Sequence, residues 1–137
     1  MAKTLQIEIV THSGIAYQGE ADSVVAPGVE GYFGMLPHHA PLIAELAIGD
    51  LRLRQGTRWT HFAVSGGILH LRDAKVVVMA DSAELATDID VDRARQAEQR
   101  ARGRLAMRRA ADIDNRRAEI ALERAVNRLR VAATPPD

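Results

Sequence analysis

The 137-residue sequence has no cysteine, which excludes disulfides and thiolate metal sites and leaves the redox compartment undetermined. Long hydrophobic runs are also missing. No stretch approaches the roughly 20 apolar residues of a membrane-spanning helix, so any membrane association is expected to be indirect. The opening MAKTLQIEIV enters a strand-like alternation directly, without the basic-then-apolar order of a secretory signal, and no export is expected. No GxGxxG or GxxxxGKS/T pattern occurs, and Ser65 has no nucleophile-elbow context, so hydrolase chemistry has no support. Lysine is absent from residues 88–137, where all twelve cations are arginine, against nine acids. Residues 1–87 carry six cations against nine acids, so a formal net charge of zero conceals two halves of opposite sign. Arginine presents a planar fork suited to carboxylates and phosphates, and the second half is expected to recognise anionic groups. Its interspersed acids leave too small an excess for a phosphate-tracking surface, which argues against nucleic acid.

What is present divides at Ile89-Asp90-Val91-Asp92-Arg93-Ala94. Before it, a 47% hydrophobic chain supplies short alternating runs between turns, enough for a real core. Leu5, Ile7 and Ile9 alternate with polar residues, as a half-buried strand requires. Further runs follow at Ile15–Tyr17, Val24–Ala26, Leu51–Arg54, Trp59–Val64, Ile68–Leu71 and Lys75–Met79. Turn signals separate them at Ser13-Gly14, Pro27-Gly28, Gln55-Gly56, Gly66-Gly67 and Arg72-Asp73-Ala74. This spacing predicts an antiparallel β-sandwich or flattened barrel over residues 1–87.

From Asp88 the period changes. Val91, Ala94, Ala97, Ala101 and Leu105 recur at helical steps, with Asp90 as N-cap and Asp92 in the first turn. A second stripe of Ala118, Leu122, Ala125, Val126 and Leu129 follows a capping segment at Asp112–Asn115. Residues 88–137 are thus expected to form a two-helix antiparallel hairpin ending in a solvated tail from Thr134. Alanine-lined faces pack closely but bury little area, so the hairpin is expected to open readily.

Other candidate sites are weaker. Asp88-x-Asp90-x-Asp92 begins like a calcium loop, but Arg93 stands where glycine is needed and Gln99 where glutamate is needed. His38-His39, between Pro37 and Pro41, has no further ligand at metal spacing, and a loop-shaping role is expected. Gly66-Gly67 is expected to form a hairpin turn or a bulge. Arg93 and Arg100 share one helical face, and Arg124 and Arg128 another. Spacing alone leaves these arginines as a solvated face, a partner for an acidic protein patch, or a nucleotide site.

Several blocks, in order, resemble the epsilon subunit of bacterial F-type ATP synthase. They are Gly34-Met35-Leu36-Pro37-His38-His39-Ala40-Pro41-Leu42, Ala63-Val64-Ser65-Gly66-Gly67, and Ala80 to Glu84 leading into Ile89-Asp90-x-x-Arg93-Ala94. The complete last block favours the bacterial type over the mitochondrial counterpart called delta. The resemblance covers nearly the whole chain and implies a non-catalytic subunit of the rotor's central stalk. It implies a sandwich that contacts the γ subunit and the ring of membrane c subunits, at the cytoplasmic face of the membrane. It also implies a helical domain that folds down as a hairpin or extends along γ toward the catalytic α and β subunits, hindering ATP hydrolysis. By the same resemblance Glu84, Ile89, Asp90, Arg93, Ala94, Arg100, Arg124 and Arg128 match a regulatory ATP site. ATP would then favour the closed hairpin by differential affinity. Two other readings remain: a free-standing ATP-binding regulator with no affinity for γ, and a hydrolytic enzyme, for which no residue constellation exists.

Overall fold

A computed structural model describes residues 3–107 and 112–134, with side chains in the second segment from residue 115 onward. Eight strands come first: β1 (Leu5–Thr11), β2 (Gly14–Ala21), β3 (Ser23–Gly28), β4 (Gly31–Met35), β5 (Leu42–Gln55), β6 (Arg58–Arg72), β7 (Lys75–Ala80) and β8 (Ala83–Leu85). A 3-10 turn over Ala86–Asp88 leads into α1 (Val91–Met107) and α2 (Asp112–Ala132). The strands form one sheet in the order β2-β1-β7-β6-β5-β3-β4, with β8 also paired to β6.

The sheet folds over on itself into a sandwich without closing into a barrel. Its far parts meet where the Gln55 side chain donates to the Glu20 carbonyl (2.6 Å) and the Asp22 amide to the Arg54 carbonyl (2.7 Å). Between the layers lie Leu5, Ile7 and Ile9 of β1, Leu51 and Leu53 of β5, Phe62, Val64, Leu69 and Leu71 of β6, and Val76 and Val78 of β7. Each fully buried aliphatic side chain contributes about 1.5–3 kcal/mol, and Phe62 adds an edge-to-face contact with Tyr17 at 5.2 Å between ring centroids.

One expectation is corrected, one is resolved and one is extended. Pairing is not wholly antiparallel: β1 runs parallel to β7, in register from Gln6↔Lys75 to Val10↔Met79. The two are far apart in sequence, so no hairpin dictates their direction, and both bury alternate aliphatic residues in the same core. Gly66-Gly67 does not reverse the chain. The runs Trp59–Val64 and Ile68–Leu71 belong to one 15-residue strand, β6, whose pairing with β5 continues across the glycines from Ile48↔Ser65 to Leu46↔Gly67. Both glycines have positive φ (+86° and +134°), so the strand bends there, and its other edge passes from β8 to β7. A Cβ at Gly67 would overlap the Met79 carbonyl oxygen. Finally, strand structure extends to Gly31–Met35 and Leu42–Asp50, which carried no clean alternation because glycines and partly covered faces interrupt the period.

The helices begin as expected. Asp90 Oδ1 accepts the Arg93 amide at 3.1 Å and the Asp90 carbonyl accepts the Ala94 amide at 3.0 Å, the geometry of an N-cap. Of the second expected cap, the side chains of residues 112–114 lie outside those described, as does the tail beyond Thr134. Ala94 and Ala101 on α1 and Ala118 and Ala125 on α2 are buried. Each pair is seven residues apart and therefore on one face. The start of α1 and the end of α2 share a cleft, so the helices run antiparallel. The hairpin docks on the sandwich through a small apolar cluster of Ala63, Ile89 and Val131, flanked by Ala86 and Ala132.

Candidate functional site

The cleft opens where the end of the β-domain meets both helices. It has a volume of about 320 Å³ and is lined by Glu84 of β8, Asp88 of the 3-10 turn, the cap Asp90, Arg93 and Ala94 of the first turn of α1, and Arg128 of α2. This lies at the lower end of the size range of small-molecule pockets, roughly 300–1,000 Å³. Local structure explains the convergence. The 3-10 turn ends in extended backbone at Ile89, which buries its side chain against Ala63 and Val131. Asp88 and Asp90, on either side of it, line the cleft instead. Arg128 Nε donates to Glu84 Oε1 at 2.6 Å, joining α2 to β8 across the opening. Both side chains are 34% exposed, so the pair contributes at most about 1 kcal/mol.

The expected site residues therefore fall into four groups. Glu84, Asp90, Arg93, Ala94 and Arg128 come together on the walls. Arg124 lies one turn before Arg128 and lines an adjoining recess with Ala63, Val64, Ser65, Ser82 and Asn127. Arg100 is exposed two turns along α1 from Arg93, about 10 Å farther by helical rise. Ile89 does not line the cleft; it is packed behind it. Asp90 meets Arg93 through the backbone amide, and the side-chain ion pairs among the described residues do not include the two together.

Charge decides what this arrangement can hold. The walls carry three carboxylates, Glu84, Asp88 and Asp90, against two guanidinium groups, Arg93 and Arg128. With one negative charge in excess, the walls alone repel a polyphosphate; Arg124 in the adjoining recess offsets that charge and Arg100, farther along α1, adds one more positive charge. A nucleotide fits this polarity with its hydroxyl and amino donors toward the carboxylates and its phosphates toward the arginines. Sequence reasoning missed Asp88 as a wall residue, although the alternating acids at 88 and 90 had marked it. It also missed Asn127, buried where α2 meets the sheet. Being one polar residue among helical arginines, Asn127 carried no signal. His39 shapes its loop as expected: its Nδ1 donates to the Ala40 carbonyl (2.7 Å) and its amide to the Leu36 carbonyl (2.9 Å).

Residues 4–86 match the family model described as ATP synthase, Delta/Epsilon chain, beta-sandwich domain. Residues 87–133 match the one described as ATP synthase, Delta/Epsilon chain, long alpha-helix domain. The chain is 48% identical over 132 residues to the ATP synthase epsilon chain of Desulforamulus reducens, covering 96% of this chain and 99% of that one. It is 46% identical over 129 residues to that of Halalkalibacterium halodurans, covering 94% and 97%. Among solved structures, a chain of the Euglena gracilis mitochondrial ATP synthase assembly of OSCP, F1 and c-ring superposes with a TM-score of 0.77 at 22% identity, covering 90% of this chain and 78% of that one. A chain from the central stalk and c-ring of the Tetrahymena thermophila mitochondrial ATP synthase gives 0.59 at 12% identity, covering 96% and 98%. At such identities these two likenesses concern the fold alone.

Proposed function

The chain belongs to the ATP synthase delta/epsilon family, as an epsilon-type, non-catalytic subunit, and on that premise we propose that it couples rotation to ATP synthesis and restrains ATP hydrolysis. In this reading the sandwich binds γ and the c-ring, and the membrane is touched only through the complex, on its cytoplasmic face. The helices are the regulatory part. Released and extended end to end, 17 and 21 residues reach about 57 Å at 1.5 Å per residue, and along γ they bring their arginines to an acidic loop of β. Capture by γ, followed by α and β, tests the stalk role, and a chain that stays solitary with purified γ overturns it.

The closed hairpin is proposed to bind ATP as a regulatory ligand. The observation carrying this reading is that the cleft's walls come from β8, the 3-10 turn, α1 and α2 together. Arg128 and Arg124 join the site only when α2 is folded down, so a ligand that bonds them favours the closed state by its difference in affinity for the two states. Glu84, Asp88 and Asp90 accept hydrogen bonds from base or ribose, and Arg93, Arg100, Arg124 and Arg128 neutralise the phosphates. Arg128 exchanges its bond to Glu84 for one to phosphate. Calorimetric titration of the full chain with ATP, beside Asp90→Ala and Arg93→Ala, is expected to show binding that both variants weaken. No heat at millimolar ATP overturns the sensor and leaves the stalk role standing.

A further inference from the structure

We propose that Asn127 is a polar latch that fixes where α2 seats on the sandwich, thereby setting the closed–open balance of the hairpin. The Asn127 side chain is buried, and its Nδ2 donates to the Gly49 carbonyl at 2.9 Å and toward the Val64 carbonyl at 3.5 Å. Gly49 and Val64 are direct cross-strand partners on β5 and β6. Both lie beside the bend created by Gly66-Gly67. One amide group thus ties α2 to two strands at a place where the sheet itself has a fixed shape.

Apart from the one-third-exposed Arg128–Glu84 pair, which water competes for, the rest of the docking surface is apolar and small, built on Ala63, Ile89 and Val131. Apolar contact is non-directional, so alone it would tolerate rotation or sliding of α2. A buried amide does not, because a displaced α2 leaves the Asn127 amide donor without the partners that its burial requires. Asn127 is adjacent to Arg128 and three residues from Arg124, so the register it selects is also the one that delivers both arginines to the cleft and recess. The same chemistry suits reversal. On opening, the amide exchanges its bonds for water, whereas a large apolar side chain here would hold α2 down or be left exposed. The consequence for ATP rests on the regulatory reading above; the latch itself does not.

Hydrogen exchange of the full chain without nucleotide tests it. In Asn127→Ala and Asn127→Asp, amides of α2 from residue 115 onward are expected to exchange about 10- to 100-fold faster, with β1 and β7 amides unchanged. Asn127→Leu keeps an apolar side chain of comparable size but no donor, and is expected not to restore native protection. Arg130→Ala, an exposed change on the same helix, is the control and exchanges as the native chain does. Native protection of α2 in Asn127→Ala and Asn127→Asp, or full protection in Asn127→Leu, overturns the latch. Should Asn127→Ala expose β1 and β7 as well, Asn127→Ser, which retains a hydroxyl donor, carries the comparison. An ATP arm is read separately: failure of ATP to slow α2 exchange in the native chain removes the sensor reading and leaves the latch as the apo data decide.

Discussion

Truncation of Val131 puts a number on how weakly the helices are held. Its side chain is 1% exposed and packs between Ala63 and Ile89. Val131→Ala removes two methyl groups, worth about 1.6 kcal/mol of burial at roughly 0.8 kcal/mol per carbon, and incomplete closure of the space brings the loss to about 2 kcal/mol. Alanine is also the better helix former, but that gain applies to docked and released helix alike and cancels from their ratio. The closed-to-open ratio should therefore fall about 30-fold. Trypsin reads it directly, because α2 carries Arg116, Arg117, Arg124, Arg128 and Arg130, and cleavage tracks the open population when opening is fast. Early cleavage within α2 is expected to speed up about 20-fold if the native balance is about 100:1 closed and about twofold if it is about 1:1, while the urea midpoint of the sandwich stays put. The effect on ATP depends on the starting balance. From about 100:1 closed, the apparent affinity changes by less than about twofold; from about 1:1, it weakens about 15-fold. Native cleavage rates in Val131→Ala would refute the view that this small cluster holds the hairpin.

Three further perturbations separate other parts of the account. Gly67→Ala should lower sandwich stability by about 3 kcal/mol or more, because φ is +134° and the obstructing Met79 oxygen is backbone; an unchanged urea midpoint contradicts this. Asp90→Ala should cost α1 about 1 kcal/mol of capping, seen as faster exchange in its first turn, whereas Asp90→Ser keeps the cap and loses the carboxylate. If Asp90→Ser binds ATP as the native chain does, the carboxylate has no part in recognition. Asp88→Asn removes one of three wall charges but keeps an acceptor oxygen for base or ribose, so ATP affinity should rise a few-fold at low ionic strength, with the gain shrinking toward about 0.5 M salt. Equal affinity of the two chains at low salt would discount the charge argument.

Periodicity and capping chemistry were enough to divide the chain into a strand-rich half and two helices, and to identify Asp90 as the residue that starts the first helix. Those features are local: a period of two or 3.6 and a cap three residues from its amide are written in consecutive positions. Even the need for glycine at 66 and 67 was legible, though whether the pair turned the chain or bent one long strand was not. That choice depended on β5 and on β7 and β8 lying along both edges of β6. The site followed the same division. Arginine at positions 93, 100, 124 and 128 raised the expectation of an anion-binding half, but four side chains on two helices have no mutual geometry until the helices meet. Only the folded hairpin puts Arg128 on Glu84, leaves Arg100 outside the cleft, turns Ile89 inward and makes Asp88 a wall. Asn127 is the clearest case, since its meaning lies wholly in two carbonyls 63 and 78 residues away. Side-chain type and helical face are set by neighbours in the chain; which face is covered, and by what, is set by the elements that pack against it.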